Sequence, residues 1–495
     1  MLTAWVRFSF LLFALLKTLR PTPFLNLRKR YYTINNHTMF EKYLAIIIYL
    51  IILGLITWLS ARRKSTEDFL YASHDVGWKS LAISLFSSAF SSYNVVVTLT
   101  FAFLFGPYIL LVFLGVLAAF ISIYLIARKY KEVISEQRFN NIIDFVRQKF
   151  DLKVVNILNL ALVAILFLFI TLQLFINTTI FSEFLGWNKY ASAIFVGVVV
   201  LLYITIGGLK TEIFTDVFQG ILMILIVALV FMVDISTISS ESITSLLANK
   251  TIFFGALSLG IAQFLTLLVQ PEIWQRVAAA RGLAHLKKGL ITSWFLLAVV
   301  VIPMIVIGLV ARSSGTIEDP GTLFYDIVET AAPEWFLPFL TVSLFAAFMS
   351  TLDSSLFAIS SQLGKYGFVV KRIGKESFTD NRQIAKNIRI STLIVLVLAL
   401  IASLFFGNFL KGVFGLISLL TIISVSVLMS LILKMSSNET FIAILVGMIA
   451  FAFAFFGGYI TEKPITTLYP SFFLFGYILL QKIVWQICHR LKLKR

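Results

Sequence analysis

Long apolar runs constrain this chain more than any other feature. Stretches of roughly 17–25 residues with scarcely a charge recur along it, and that is the length at which a helix crosses the hydrocarbon core of a bilayer. They fall at about 43–61, 80–106, 107–128, 155–178, 190–206, 212–234, 252–270, 288–311, 336–364, 390–406, 411–433, 438–458 and 465–487. The chain is 59% hydrophobic and 13% charged, with a mean hydropathy of +0.95. Soluble domains sit near 45–50% apolar and about 25% charged. A soluble fold would need a dozen buried helices with no polar shell. The pattern predicts an all-α integral membrane protein of about thirteen transmembrane helices.

A net charge of +17 could suggest nucleic acid, but its placement does not. The loops 62–79, 128–154, 207–211, 271–288, 365–389, 434–437 and the C-terminal tail carry about 28 Lys and Arg, against about 5 in the opposite loops. The opposite segment 315–335 is acidic, with Glu318, Asp319, Asp326, Glu329 and Glu334. Basic residues collect on the cytoplasmic side of membrane proteins. The reading is a multi-pass protein of the cell membrane, with residues before 43 outside and the C-terminus in the cytoplasm. Its partners are the bilayer and a small solute, not nucleic acid; the oligomeric state is left open.

Residues 1–38 stand apart. They carry Arg7, Lys17, Arg20, Arg28, Lys29 and Arg30, no acid, and an apolar run at 8–16 too short to span. The segment reads as an upstream extension with the start at Met39, or as the core of a signal. Residues 39–495 read as a single transporter domain, with only a short basic tail after the last span. One cysteine, Cys488, excludes disulfides and thiolate metal sites. The four histidines lie in loops or termini, which excludes a membrane-embedded histidine relay.

Polar residues inside apolar runs mark function, because each is costly in hydrocarbon. Three segments stand out. In 80–106, five serines (Ser84, Ser87, Ser88, Ser91, Ser92) fall within nine positions. Serine competes for backbone hydrogen bonds, so the helix can unwind there and free carbonyls for a cation. The same serines also suit a small-residue packing face. In 336–364, Ala347, Ser350, Thr351, Ser354, Ala358 and Ser361 share a stripe, with Asp353 at its edge. Hydroxyls beside a carboxylate suit a hard cation, and equally a packing stripe whose acid bonds to backbone. At the join of two spans, Gly207 and Gly208 make a turn, and Asp216 falls inside the next helix as a dipole partner or a cation ligand. Gln173, Gln263, Thr266 and Gln270 are further polar groups in apolar runs. Single glutamines commonly bond between helices. Pro271 ends the helix that carries the last three.

At these residues the sequence resembles the sodium:solute symporter family. Tyr203–Gln219, with Gly207-Gly208-Leu209 and Thr215-Asp216, is similar to one of its signatures. Gln270–Ala280, with Gln275-Arg276, is similar to the segment after its sixth core helix. Ala347–Ser355 is similar to its ion-site helix. The resemblance covers about 40–490. It implies a LeuT-like core of two inverted five-helix repeats, here 80–234 and 252–433, with peripheral helices 43–61, 438–458 and 465–487. It implies Na+ as the coupling ion, held by Ser87, Phe90, Ala347, Ser350 and Thr351. A second cation set, found in some members, would map to Asp216, Ser350, Asp353 and Ser354. The family usually has a hydroxyl where Asp353 stands. Substrate contacts would map to Ala89, Ser91, Gln263, Thr266 and Leu267. No Asp stands at 89, no Trp or Tyr at 263 or 267, and the third core helix has no Arg, so proline, sugar or sialic acid does not carry over.

The implied activity is Na+-coupled uptake of a small organic solute by alternating access. The alternatives are a proton-coupled symporter using Asp353 and Asp216, a transporter-like sensor or receptor, and a membrane enzyme. No His, Cys or paired-acid constellation speaks for the enzyme.

Overall fold

The computed structural model describes residues 36–61, 65–90, 92–130, 142–315, 323–367, 381–405, 409–461 and 463–492. Most of 1–38, and Ser91, lie outside the described residues. The described residues form helices and turns, with one isolated backbone bridge between Val76 and Ala280.

The chain opens with α1 (Asn36–Ala61), short α2 (Thr66–Tyr71), α3 (Trp78–Ala89), α4 (Ser92–Phe105) and α5 (Leu110–Lys129). Next come short α6 (Ile142–Arg147), α7 (Leu152–Leu185), α8 (Lys189–Gly207), α9 (Leu209–Met223) and short α10 (Ser240–Ala248). Then follow α11 (Lys250–Val269), α12 (Pro271–Ala279), α13 (Leu283–Ser314), α14 (Leu323–Ala331), α15 (Leu337–Tyr366), α16 (Asn381–Leu404), α17 (Phe409–Ile432), α18 (Ser437–Phe456) and α19 (Tyr469–Lys492).

Eleven helical stretches among the described residues are long and apolar enough to cross a membrane. The thirteen expected runs all have helices. Two do not count separately for a local reason each. The run 80–106 is broken at Phe90, and its second half continues through a 3-10 turn at Gly106–Ile109 into α5 as one 36-residue stretch. The apolar part of α8, Lys189–Leu201, is short.

Two helices are interrupted where the backbone must leave its ladder. Phe90 closes α3 with φ −117° and ψ 79°, outside helical geometry. Gln270 leaves α11 with φ −64° and ψ 118°, and Pro271 restarts a helix as a first-turn residue that needs no donor. The sequence pattern predicts a basic inner loop over 271–288, but Pro271–Ala279 is helical and a further helix starts at Leu283. The first is a nine-residue helix, and every one of its residues is buried. Its polar residues, Glu272, Gln275 and Arg276, imitate a loop. Arg276 and Glu272 are tolerated inside because they bond to neighbouring helices, whereas the Gln275 side-chain amide has no hydrogen-bond partner in the structure.

α15 lies at the centre, packed against α1, α3, α7, α9 and α16. Almost all of it is buried, including Ser343, Ser350, Thr351, Ser354 and Ser355. Small hydroxylated residues let neighbouring helices close on its backbone. The α8–α9 turn depends on Gly208, whose φ of +71° suits glycine. A Cβ there would also stand 2.3 Å from the Phe69 ring.

Candidate ion and solute site

The break at Phe90 faces the middle of α15. The Thr351 hydroxyl donates to the Ala347 carbonyl at 3.3 Å and reaches the Ser87 carbonyl at 3.5 Å. Oxygens of Ser87, Ala347 and Thr351 thus converge where α3 ends. Phe90 stands at the break itself, and the Asn94 amide on α4 spans it, donating to the Ala89 carbonyl at 2.6 Å. Ser350 belongs to the same stripe, but its hydroxyl donates to Asp216 Oδ1 at 2.5 Å.

Next to this convergence lies an ionic cluster that sequence reasoning missed. The Arg276 guanidinium is fully buried and donates to Asp216 Oδ2 at 2.7 Å and to Glu212 Oε1 at 2.9 Å. Ser84 donates to Asp216 Oδ2 at 2.5 Å and accepts from Arg276 Nε at 2.8 Å. Ser354 accepts from Arg276 at 2.7 Å, and its hydroxyl lies 3.3 Å from that of Ser88. One residue therefore ties α3, α9, α12 and α15 together. The hint in the sequence was the pair of acids Glu212 and Asp216, four apart on one helix face, which need a base nearby.

The structure sorts the second set implied by resemblance. Asp216, Ser350 and Ser354 come together around Arg276. Asp353 is buried, and neither of its oxygens has a hydrogen-bond partner in the structure. Four buried acids, Glu212, Asp216, Glu272 and Asp353, thus accompany one buried base in this layer.

A cavity of about 170 Å³ opens beside the break in α3–α4 and runs to the break in α11–α12. Ala89, Gln263, Thr266 and Leu267, all expected to meet solute, line it; Ser91 lies outside the described residues. So do Phe90, Asn94, Thr98 and Phe101 on the first broken helix, and Gln270, Glu272 and Ile273 at the second. Thr351, Ser354 and Ser355 give it an α15 wall, so the cavity touches the oxygen convergence. Gln173 is fully buried and does not line it.

Two broken helices flanking a cavity that touches an oxygen convergence are the arrangement of a LeuT-type secondary transporter. The fold matches solved structures of that kind. A Na+-coupled sialic acid symporter in a substrate-bound outward-open state aligns with a TM-score of 0.70, at 17% identity, over 89% of this chain and 98% of that one. Mhp1, a nucleobase-cation-symport-1 family transporter, aligns with a TM-score of 0.52, at 14% identity, over 85% and 96%. The chain belongs to the sodium:solute symporter family, whose model matches residues 69–435. It is a multi-pass membrane protein that couples movement of a small solute to Na+. Among curated relatives, sodium/proline symporter 2 of Staphylococcus saprophyticus is 24% identical over 387 residues, covering 74% of this chain and 75% of that protein. A sodium/proline symporter of Staphylococcus aureus is likewise 24% identical, over 382 residues, covering 73% and 74%.

Proposed function

We propose that the chain takes a small organic solute into the cell by alternating access, with Na+ held by Ser87, Phe90, Ala347, Ser350 and Thr351. The observation that carries the reading is the approach of the Thr351 hydroxyl to the Ser87 carbonyl across the break. An ion there would hold α3 to α15 and steady one face of the cavity. The solute would sit against Ala89, Ser91, Gln263, Thr266 and Leu267. Closing over it would free the bundle to rock inward.

A second cation on Asp216, Asp353 and Ser354 would share Asp216 and Ser354 with Arg276. That sharing favours one coupling ion. Each charge entering down the membrane potential gains about 2.3 kcal/mol per 100 mV. The charge asymmetry of the loops supports a cytoplasmic C-terminus and an outside N-terminal end in the cell membrane. The likeness to sodium/proline symporters makes a proline-like solute the first to try.

The test is uptake into proteoliposomes with the membrane potential clamped. A sodium gradient should drive accumulation, and uptake that persists without sodium would end the proposal. One arm separates the proton-coupled alternative, because Asp353 is buried without partners. Uptake driven by a pH step in sodium-free medium, and lost in Asp353→Asn, would favour protons.

A further inference from the structure

The cavity has a charge bias of its own. Glu272 is the only charged residue among its described lining, and no lysine or arginine faces it. Glu272 is buried, at 6% exposure. Ser355 donates to Oε1 at 2.9 Å, while Oε2 has no partner. A buried carboxylate oxygen without a donor is costly, and a donor brought by the solute would relieve that cost. The rest of the wall is mostly apolar and aromatic, with Phe90, Phe101, Phe113 and Phe169. The volume suits a small molecule, since an apolar cavity of about 150 Å³ takes a benzene ring. The Gln263 amide and the Thr98 hydroxyl supply neutral polar contacts.

We propose that the solute has a compact apolar body and a cationic or N–H-bearing nitrogen, carries no net negative charge, and is read by Glu272. The inference rests on the cavity being the solute site. Glu272 opens α12 just past the break at Gln270, and Ser355 on α15 fixes one of its oxygens. The other oxygen, Oε2, is buried without a partner on a residue that lines the cavity, so a solute donor would reach it by a small shift of the Glu272 side chain. A monoanion would bring like charge to this carboxylate and find no basic side chain to meet it, which discriminates against anions as firmly as the contact selects for nitrogen.

The experiment uses the purified full chain in detergent with Na+, and three probes that share a ring and differ in the head group: cyclohexylamine, cyclohexanecarboxamide and cyclohexanecarboxylate. A ligand of the folded state raises Tm. The amine should stabilise most, the amide less and the carboxylate least. Glu272→Gln should weaken the amine about tenfold or more and spare the amide, because a hydrogen bond to a charged group is lost. Glu272→Asp, which keeps the charge on a shorter stem, should weaken the amine by less than Glu272→Gln does. It serves where Glu272→Gln does not fold. Equal stabilisation by the carboxylate, an amine preference that survives Glu272→Gln, or no shift with any probe would overturn the proposal. Repeating the series without Na+ separates this inference from the coupling reading: an amine preference untouched by sodium keeps the first and removes the second.

Discussion

Arg276 and Asp216 meet at 2.7 Å with both side chains wholly out of solvent. A buried pair of this kind contributes little net stability by itself, but removing one partner strands the other charge. Arg276→Gln should therefore destabilise the protein by about 3–5 kcal/mol, seen as a large fall in Tm. Pairing it with Asp216→Asn should recover part of that loss, because one of the two stranded carboxylates is gone while Glu212 remains. Thermal unfolding of the two single variants and the double variant gives the coupling directly. Additive losses would mean the contact is not a coupled pair.

Thr351 has its hydroxyl between the Ala347 and Ser87 carbonyls. Thr351→Ala removes one oxygen from the proposed ion site without altering the backbone ligands. The sodium concentration for half-maximal uptake should rise about tenfold, the size of one hydrogen-bond-strength contact to a charge. Thr351→Ser keeps the oxygen and should stay near the parent. Equal sodium dependence in all three proteins would remove Thr351 from the site.

Much of this arrangement could be read from the sequence, for physical reasons specific to each part. Apolar runs of bilayer length gave the spans. The serine cluster marked the break at Phe90, because serine loosens a helix. The 347–355 stripe marked the centre of α15, because small hydroxylated residues belong where helices press together. The helix 271–279 was not legible. With Glu272, Gln275 and Arg276 in so short a stretch, it has the polarity of a loop. Only partners distant in sequence, Glu212 and Asp216 above all, make it buriable. For the same reason Arg276 was counted as an inner-loop charge when it is a core residue. Ser350 shows the limit in another way. Its place in the stripe was evident, but nothing local says that its hydroxyl turns toward Asp216.

Close packing of α5 on α11 supports the wall of the cavity and depends on two glycines facing each other. A Cβ on Gly115 would stand 2.2 Å from the Gly260 carbonyl oxygen, and one on Gly260 would stand 2.6 Å from the Leu111 carbonyl oxygen. These neighbours are backbone, so they cannot swing aside. Gly115→Ala should lower stability by about 1–3 kcal/mol, the cost of overpacking. Gly476 on α19 has nothing within 4 Å of its Cβ position. There the same substitution should be neutral or slightly stabilising, by up to about 1 kcal/mol from helix propensity. Matched Tm values for the two variants would contradict the close contact.

Asp68 on α2 pairs with Lys210 beside the α8–α9 turn at 2.6 Å and accepts from the Ser73 hydroxyl at 2.6 Å. Burial by itself would raise its carboxyl, but the hydrogen bonds and charge from Lys210 and Ser73 outweigh burial and hold it below the usual carboxylate range. The sign of the pH effect follows. A group depressed on folding stabilises the fold at pH values above its unfolded range and loses that contribution as pH falls through its folded value. The parent should thus exceed Asp68→Asn in Tm by a constant margin near neutrality. That margin should shrink only in acid, below the ordinary carboxylate range. The margin should be small, since Lys210 is about one-third exposed at 35% and salt screens such pairs. A gap that instead widened on acidification would show that the Asp68 carboxyl is not held ionised by Lys210.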